Sequence, residues 1–397
     1  MTEARLLDPA SPHPHADNRR LRAAGPLVPV LAEGVAAWAA TRHATLRAVL
    51  SHPDLSRDIA CWNPDARRAA PAGTPVTNVI SDASMLNAEG ERHTRLRAPA
   101  AQAFSPRRMR ALRPHIAAHT RRSLDRLAGL DRSGPVDLRR EFAYALPLGV
   151  ISELLGIPAS HRAELHSLTE AVTRVGDGPE DSPALRARIY DLLTEIVAIR
   201  RAHPGDDLIS GLLRHLTDAE LLDTVQLLYI AGHITTVNLI TNAAHALLTH
   251  PGQLALLRSG TVPWSTAVEE TLRWDSPVSY FPMRYPVRDV EIDGVLLRAG
   301  DAVLGCHASA GRDHDQYGPR ADRFDLTVPP RAHLSFGHGR HFCLGAPLAR
   351  MEAEIALQAL FGAFPRMALA VPPGGLRSVD NLLSNSVGTL PVLLSGR

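Results

Sequence analysis

The chain contains no lysine, so all 43 of its basic residues are arginines. No fold requires lysine to be absent, and codon usage in a GC-rich genome, as many bacteria have, is the simpler explanation. The arginines are balanced by 41 acidic residues, which leaves a formal net charge of +2. A strong basic excess is typical of proteins that bind nucleic acid, so the composition predicts no nucleic-acid partner.

Cysteine is scarce: the 397 residues include Cys61, Cys306 and Cys343, too few for a disulfide framework. Residues 1–15 lack the charged-then-apolar pattern of a secretion signal. The longest apolar stretch, residues 221–248, is interrupted by several polar side chains, so a buried core helix explains it better than a membrane span. The sequence therefore predicts a cytoplasmic protein with no membrane segment.

Helical periodicity dominates the pattern of apolar residues. Between residues 277 and 339, in contrast, proline, glycine, aspartate and arginine are frequent, and an irregular region of that length usually serves a function. The predicted fold class is mainly α with small β-sheets, in one domain over residues 1–397. The predicted helices are 107–127, 138–155, 183–201, 218–248, 266–274 and 344–361, and the predicted strands are 28–31, 290–292, 302–305 and 389–394.

The strongest functional signal is the segment Phe336-Gly337-His338-Gly339-Arg340-His341-Phe342-Cys343-Leu344-Gly345. Its glycines permit a tight turn and a close backbone approach to a flat group. A helical pattern with Pro347 in its first turn follows, so the sulfur lies at a helix N-terminus, where free amides and the helix dipole stabilise a thiolate. A thiolate on haem iron favours cleavage of the O–O bond. The alternative for a lone cysteine is a buried, inert side chain.

This segment resembles the haem-binding loop of the cytochrome P450 superfamily in its bacterial form, and other blocks of the family follow its order over nearly the whole chain. The resemblance implies the cytochrome P450 fold, a triangular helical prism with haem b between the long central helix and the helix after the cysteine loop. It implies that Cys343 is the iron ligand. It also assigns cofactor binding to Phe336, Gly337, His341 and Gly345.

Two charged residues on one predicted helix match a second block of the family. In Glu270-Thr271-Leu272-Arg273 the acid and the base are three residues apart, so they share a helix face and can pair. The resemblance implies a buried ion network that holds the haem loop, with Arg323 as its third, basic member. On the helix pattern alone, an exposed pair of little energetic value is the better interpretation.

Four residues match the positions at which the family binds the haem propionates. His93 and Arg97 are four residues apart and therefore share a helix face. Arg284 and His341 match the other two positions. Such a set suits two carboxylates because charge-assisted hydrogen bonds are strong. Taken alone, each of the four would be better interpreted as an ordinary surface residue.

The segment Ala231-Gly232-His233-Ile234-Thr235-Thr236 matches the family's central helix. The resemblance assigns oxygen activation to Ala231, Gly232, Thr235 and Thr236. The glycine lets the helix backbone open locally, and Thr235 matches the alcohol that steers protons. The alternative for a threonine inside a helix is a hydrogen bond to the carbonyl one turn earlier.

Ile234 is the main departure from the family, which usually has Asp or Glu directly before this threonine. Isoleucine carries no proton and attracts no water, which argues against the usual proton relay. We expect either that water held by Thr235 and the substrate delivers protons, or that the reaction needs fewer of them, as in dehydrogenation, ring closure or coupling. Smaller departures are Gly311 in place of asparagine, Val328 in place of arginine, and Arg340 at a variable position.

The resemblance places the substrate against the family's variable segments, including residues 77–86, 168–190, 277–281 and 382–387. An apolar pocket with a few polar groups is typical of small-molecule sites, and it favours a secondary metabolite of intermediate polarity. The predicted lining residues are Val79, Ile80, Met85, Leu86, Leu228, Val278, Ser279, Tyr280, Phe281 and Leu383.

The chain has no glycine-rich dinucleotide motif and no clustered cysteines, so electrons must come from other proteins or peroxide must replace them. The resemblance implies a separate ferredoxin and a ferredoxin reductase. Arg107, Arg108, Arg110 and Arg113 could form part of a docking face, or could be ordinary solvated helix charges.

Two other classes of function remain as alternatives. One is a haem enzyme without monooxygenation, such as a peroxygenase, an isomerase or a coupling catalyst. The other is a haem protein without catalytic activity, against which the Thr235 position and the pocket argue. A zinc or disulfide role for Cys343 is disfavoured because no partner ligands lie at metal spacing.

Overall fold

The structure is a computed structural model that describes residues 4–80, 84–131, 134–173 and 182–395. This part of the chain is mostly helical. Its helices are α1 (Pro14–Ala24), α2 (His43–Ser51), α3 (Pro64–Ala69), α4 (Pro75–Ile80), α5 (Gly90–Ala103), α6 (Pro106–Ala128), α7 (Ala145–Leu155), α8 (Ala159–Thr173), α9 (Ser182–Ala202), α10 (Leu208–Leu212), α11 (Asp218–Thr249), α12 (Pro251–Arg258), α13 (Trp264–Trp274), α14 (His307–Ala310), α15 (His314–Tyr317) and α16 (Ala346–Ala363).

The strands form three small sheets. They are β1 (Arg5–Leu7), β2 (Leu27–Ala32), β3 (Val35–Ala40), β4 (Leu55–Ser56), β5 (Val136–Asp137), β6 (Tyr280–Pro286), β7 (Val290–Ile292), β8 (Val295–Leu297), β9 (Val303–Cys306), β10 (Ala368–Leu369) and β11 (Pro391–Leu393). The largest sheet has the order β1-β2-β3-β9-β6-β4, beside β10-β11-β5 and the hairpin β7-β8. Glu33 and Gly34, with φ of 48° and 82°, make the tight turn between β2 and β3, as expected for a two-residue hairpin.

Helix α11 runs through the main core and contacts α7, α9, α12, α13 and α16. It begins with a capping box, in which the Thr217 side chain accepts from the Glu220 amide and the Glu220 carboxylate accepts from the Thr217 amide. Its buried residues extend from Leu221 to Leu247. No helix in the described part of the chain combines the length and the apolar composition that a bilayer crossing would need.

The predicted helices and strands are confirmed to within two residues at each end, with one exception. The predicted helix 138–155 begins with a π-helical turn over Arg139–Ala143, and α7 starts after it. In this turn the Tyr144 amide donates to the carbonyl of Arg139, 3.0 Å away, which is five residues earlier rather than four. Apolar spacing cannot reveal one extra residue inserted into a turn.

The side chain of Arg273 in α13 connects the parts of the chain that lead to Cys343. It donates two hydrogen bonds to Glu270, of 2.7 and 2.8 Å, and the other three to the carbonyls of Gly311, Ala321 and Arg323, at 2.7 to 2.9 Å. All five guanidinium N–H groups are therefore used. The predicted third member of the network needs correction, because the Arg323 side chain is exposed and its backbone carbonyl makes the contact.

Helix α13 also fixes the residues directly before the cysteine loop. The Glu269 carboxylate accepts from Arg350 Nε at 2.6 Å and lies 3.2 Å from His333 Nε2. Ser335 Oγ donates to the carbonyl of Leu272. Burial alone raises the pKa of Glu269, but hydrogen bonds from His333 and Arg350 lower it to about 2. One helix thus ties down both the approach to Cys343 and the helix that follows it.

We predict that Arg273→Leu lowers the free energy of unfolding by about 3–5 kcal/mol, because it removes the charge partner of the Glu270 carboxylate, whose side chain is only 13% exposed and retains the hydrogen bond from the Asp325 amide. Arg323→Ala should change it by less than about 0.5 kcal/mol, because the variant keeps the carbonyl that Arg273 uses. Urea unfolding followed by circular dichroism measures both. Equal losses in the two variants would mean that the Arg323 side chain does belong to the network.

Gly311 follows α14 at a point where two backbones touch. A Cβ atom added there would lie 1.9 Å from the carbonyl oxygen of Arg273. The φ of Gly311 is −67°, so the constraint is space and not backbone conformation. In this backbone arrangement no side chain larger than that of glycine fits at position 311, where the family usually has asparagine.

We predict that Gly311→Ala destabilises the protein by about 1–3 kcal/mol, as expected when a well-packed contact is overfilled. Gly362→Ala is the matched control, because a Cβ atom there meets nothing within 4 Å and alanine favours the helix. It should be neutral or slightly stabilising in the same thermal unfolding experiment. A Gly311→Ala variant as stable as the wild type would show that the Arg273 backbone moves aside at no cost.

Candidate active site

The loop before α16 is built on two glycines. Gly337 and Gly339 both have φ of 74°, a left-handed conformation that side chains rarely adopt. A Cβ atom on Gly339 would also lie 3.2 Å from the carbonyl oxygen of Leu50. The Cys343 amide donates to the carbonyl of Phe336 at 2.9 Å, which closes the loop. These constraints place Cys343 two residues before Gly345, the N-cap of α16.

The Cys343 thiol lies among groups that favour its ionised form. Burial raises the pKa of this thiol, while hydrogen bonds from the backbone amides of Gly345 and Ala346 and the charge of Arg97 act in the opposite direction. A Cβ atom on Gly345 would lie 4.0 Å from the sulfur, an ordinary van der Waals distance, so space alone does not require glycine there. A bound metal cation adds the positive charge that deprotonates a coordinating thiol outright.

Cys343 faces a cavity of about 910 Å³ that is also lined by α11. The predicted loop residues Phe336, Gly337, His341 and Gly345 line it as well. From α11 it is lined by Ala231, Gly232, Ile234, Thr235 and Thr236. The structure therefore brings the sulfur and the predicted oxygen-activation segment to the walls of one space.

The two threonines of α11 bond back to their own helix. Thr235 Oγ1 donates to the carbonyl of Ala231 at 2.8 Å, and Thr236 Oγ1 donates to that of Gly232 at 3.4 Å. A Cβ atom on Gly232 would come within 2.7 Å of Ile151 in α7, so this glycine is needed for close helix packing. The Thr235 hydroxyl nevertheless lies on the cavity face, where it can also accept a hydrogen bond.

Ile234 lines the cavity beside Thr235, so its apolar side chain takes the place where an acid would be useful. The neighbouring His233 is no substitute, since it is buried away from the cavity and its Nδ1 lies 2.6 Å from the carbonyl of Tyr229. The departure seen in the sequence is thus a real change in the chemistry of the cavity wall.

Two of the predicted propionate ligands carry buried polar atoms that have no hydrogen-bond partner among the described residues. They are Nε2 of His93 and both Nε and Nη2 of Arg284. Burial lowers the pKa of Arg284 to about 10, which leaves it charged at neutral pH. A buried unpaired cation is costly, so these atoms indicate an anionic group that binds between them.

The other two predicted ligands lie in the same neighbourhood and have protein contacts. The His341 ring lies 4.4 Å from the His93 ring, and its Nε2 is 3.3 Å from Glu89 Oε1. Arg97 donates to the carbonyl of Phe342 at 2.6 Å. Its guanidinium therefore supports the cysteine loop in addition to lining the cavity.

The sequence analysis missed two charged residues at this end of the cavity. Arg57 is buried, lines the cavity and stacks 5.1 Å above the ring of Phe281. The Glu89 carboxylate accepts from the Arg57 amide and from Arg340, both at 2.9 Å. Burial alone raises the pKa of Glu89, but hydrogen bonds from His341 and the Arg57 amide lower it to about 2. Nothing in their local sequence marks either residue.

These observations fit haem b. The cavity has a cysteine sulfur on one wall and the buried donors of Arg284 on another, which offer an iron ligand and an anchor for a carboxylate. His93 is not among the described lining residues, but its ring lies beside that of His341, which is. The residues that would hold the group are Cys343 for the metal and His93 and Arg284 for the propionates, with Arg97, His341 and Arg57 nearby.

The predicted substrate-lining residues divide into two sets. Val79, Met85, Leu86, Leu228, Val278, Phe281 and Leu383 line the cavity. Ile80, Ser279 and Tyr280 do not, and need correction. Successive residues of a strand point to opposite faces, so Tyr280 turns away from Phe281 and its hydroxyl donates to Asn18 at 2.8 Å. Ile80 packs in a separate core cluster. Ser279 is buried, and its backbone amide donates a hydrogen bond to the carbonyl of Leu383.

Parts of the predicted pocket segments, residues 81–83 and 174–181, lie outside the described residues. The structure adds polar lining residues that the sequence analysis did not select, among them Arg139, Asp223 and Gln226. Tyr190, at the end of the predicted segment 168–190, donates to Asp223, and Arg139 donates to Asn238 at 2.8 Å. Only the long-range packing of the π-helical turn, α9 and α11 brings these side chains to the cavity.

Comparison with known proteins identifies the family. The model of the family described as "Cytochrome P450" matches residues 265–368. The cytochrome P450 monooxygenase PikC of Streptomyces venezuelae is 39% identical over an alignment of 389 positions, which covers 96% of this chain and 90% of PikC. The nocardicin C N-oxygenase of Nocardia uniformis subsp. tsuyamanensis is 36% identical over an alignment of 399 positions, gaps included, which covers 97% of this chain and 96% of that enzyme.

Solved structures agree. Testerone-bound CYP154C4 from Streptomyces sp. ATCC 11861 matches with a TM-score of 0.96 and 42% identity, over 100% of this chain and 99% of its own. The cytochrome P450 enzyme CxnD, described as acting in C–S bond formation in chuangxinmycin biosynthesis, matches with a TM-score of 0.89 and 31% identity, over 100% and 98%. These relatives confirm the predicted family, fold and cofactor. The chain therefore belongs to the cytochrome P450 family, as a bacterial haem b monooxygenase.

Proposed function

We propose that this enzyme oxidises a small molecule of the secondary-metabolite type, with dioxygen as oxidant and with electrons from a separate ferredoxin and its reductase. The observation that carries the proposal is that Cys343 and the Thr235 face of α11 line one cavity. When bound there, haem supplies the redox chemistry of oxygen activation, with the cysteine sulfur as its iron ligand. The chain supplies the ligand, the anchors and the shaped wall.

We propose that Arg284 and His93 anchor the propionates, since their buried donors have no protein partner in the structure. The Thr235 hydroxyl would hold water or a substrate oxygen in the cavity that Cys343 also lines. The Thr235 hydroxyl donates its proton to the Ala231 carbonyl, so it is available only as a hydrogen-bond acceptor unless that bond breaks. Proton delivery therefore depends on groups that the substrate brings into the cavity.

Ile234 leaves the cavity without an acid beside Thr235. Hydroxylation and oxidative coupling or ring closure are both proposed as outcomes, since each consumes one dioxygen, two electrons and two protons. In coupling or ring closure the two hydrogens removed from the substrate leave in a second molecule of water. The similarity to CxnD, which is described as an enzyme of C–S bond formation, supports this broader range of outcomes.

Several relatives indicate the substrate class. Their names include 6-deoxyerythronolide B hydroxylase and nocardicin C N-oxygenase. The cavity of this chain combines Val79, Leu86 and Val278 with polar groups such as Asn78 and Asn381. This lining suits a molecule that is mostly apolar and has a few hydrogen-bonding groups.

The electron donor is proposed to dock near the cysteine loop. Phe342 is 42% exposed there, and Arg107, Arg110 and Arg113 of α6 are exposed as well. Arg108, predicted with them, pairs with Asp206 at 2.6 Å. A basic surface of this kind steers an acidic partner such as a ferredoxin by long-range attraction.

The test of the haem-thiolate assignment is Cys343→Ser. The wild type should give the strongly red-shifted absorption band of a thiolate-ligated haem when it is reduced and bound by carbon monoxide. The variant should lose that band, because a serine hydroxyl does not replace the anionic sulfur. Cys61→Ser is the control, since Cys61 does not line the cavity among the described residues. An unchanged spectrum in Cys343→Ser would refute the assignment.

We predict that Ile234→Glu alters the proton supply beside Thr235. Assayed with a surrogate ferredoxin system, the variant should release at least about twofold less peroxide per electron pair, because a carboxyl can pass on a proton and isoleucine cannot. This is a small part of the roughly 100- to 10,000-fold that a positioned acid or base contributes. The product ratio is measured in the same assay. Ile234→Gln is the matched control, because it is polar and of similar shape but carries no acidic proton. If Glu and Gln behave alike, protonation at position 234 plays no part.

A peroxygenase is the second candidate, and Ile234 is the observation that favours it. Hydrogen peroxide brings both the electrons and the protons that the ferredoxin route must deliver separately. Turnover with peroxide alone, compared with turnover under the ferredoxin system, separates the two. A product heavier by one oxygen atom identifies oxygen insertion, and a product of unchanged mass identifies an isomerase.

A further inference from the structure

Two segments of chain form a continuous part of the cavity wall. The first contains Pro277, Val278 and Phe281, and the second contains residues 378–381 with Leu383 and Ser384. The segments are bonded to each other, since the Ser279 amide donates to the carbonyl of Leu383 at 2.9 Å and Val278 pairs with Ser384. They therefore act as one unit, which we call the paired wall.

Three buried side chains hold the paired wall from behind. Asn385 Nδ2 donates to Asp275 Oδ1 at 2.8 Å and to the Ser276 carbonyl at 2.7 Å. Asn242 Nδ2 donates to the carbonyls of Asp275 and Asn385, at 3.0 and 2.8 Å. Both amide groups thus use both of their N–H donors. None of the three is among the described residues that line the cavity.

The charge of Asp275 is compensated inside this set. His15 Nε2 of α1 lies 2.9 Å from Asp275 Oδ1. Burial alone raises the pKa of Asp275, but the hydrogen bond from His15 and the charge of Arg312 lower it to about 2. Burial also lowers the pKa of His15, so at neutral pH this ring donates its hydrogen bond in the neutral form and Arg312 carries the compensating charge. The carboxylate is therefore ionised at neutral pH and a strong acceptor for Asn385.

The attachment to α11 connects the wall to the oxygen-activation segment. Thr235, Asn238 and Asn242 are spaced at i, i+3 and i+7, so they follow one face of the helix. Asn238 Nδ2 donates to the carbonyl of Pro277 at 3.2 Å, and Asn242 makes the two bonds described above. Thr235 on this helix face lines the cavity. Asn242, about 10 Å further along the same face, binds the paired wall.

We propose that Asn242, Asp275 and Asn385 are positioning residues that set the distance between the paired wall and the haem face, and thereby determine which molecules the site accepts. The inference rests on the proposed haem-thiolate function and specifies how its selectivity is built. It predicts that selectivity changes when these residues are replaced, although none of them contacts the substrate.

The test compares two iron-binding probes in the haem-loaded enzyme. Imidazole is small enough to bind the iron without reaching the wall, whereas 4-phenylimidazole extends a ring toward it. In Asn242→Ala and Asn385→Ala we expect the dissociation constant for 4-phenylimidazole to change at least fivefold, and that for imidazole to change less than twofold. Both are measured from the shift of the haem absorption band.

Tyr280→Phe is the matched control. It also removes one buried hydrogen bond, from the Tyr280 hydroxyl to Asn18, but on the side of β6 that faces away from the cavity. A merely structural role for the two asparagines would leave the ratio of the two dissociation constants as it is in this control. The ratio should remain at the wild-type value in Tyr280→Phe.

The outcomes separate the two levels of the argument. If the wild type shows no absorption shift with imidazole, the proposed haem function fails. If both asparagine variants keep the wild-type ratio, or if both lose haem under conditions in which Tyr280→Phe retains it, the three residues serve stability in general and the inference is overturned. A changed ratio with a normal carbon monoxide spectrum supports it in either variant.

Discussion

The buried guanidinium of Arg273 is the interaction on which the cysteine side of the structure depends. A loop that must present a sulfur at the start of a helix has little regular structure of its own. In this structure α13 holds that loop in place. Arg273 donates two hydrogen bonds to Glu270 and three to backbone carbonyls, and so uses all five of its N–H groups. Glu269, one residue earlier, adds His333 and Arg350. Because the partners are mostly backbone carbonyls, the arrangement constrains the path of the chain more than the identity of its side chains.

Much of the fold was predictable because its signals are local. The apolar period of α11, Pro347 in the first turn of α16 and the two glycines before Cys343 each act over a few residues. The cysteine loop, being the most specific of these, located the centre of the site. Once this loop had indicated the family, the other sequence blocks could be recognised by their order along the chain.

The remaining features depend on contacts between distant segments. Arg323 looked suitable as a basic partner for Glu270, yet only its carbonyl is used, which no side-chain pattern can reveal. Tyr280 and Phe281 are neighbours on a strand, so the structure was needed to decide which one faces the cavity. Arg57 and Glu89 meet across the sheet and α5, and neither belongs to a motif that the sequence analysis used.

The paired wall has a consequence for how such enzymes diversify. Its two segments are joined by backbone hydrogen bonds and by buried amides, while the surface that meets the substrate is formed by other side chains. The hydrogen-bonded backbone with its buried amides therefore forms a frame, and the side chains that line the cavity form a separate, replaceable part of the same paired wall. Substitutions on the lining leave the frame intact, which is one physical route by which chains sharing a third of their residues keep a common architecture while their chemistry diverges.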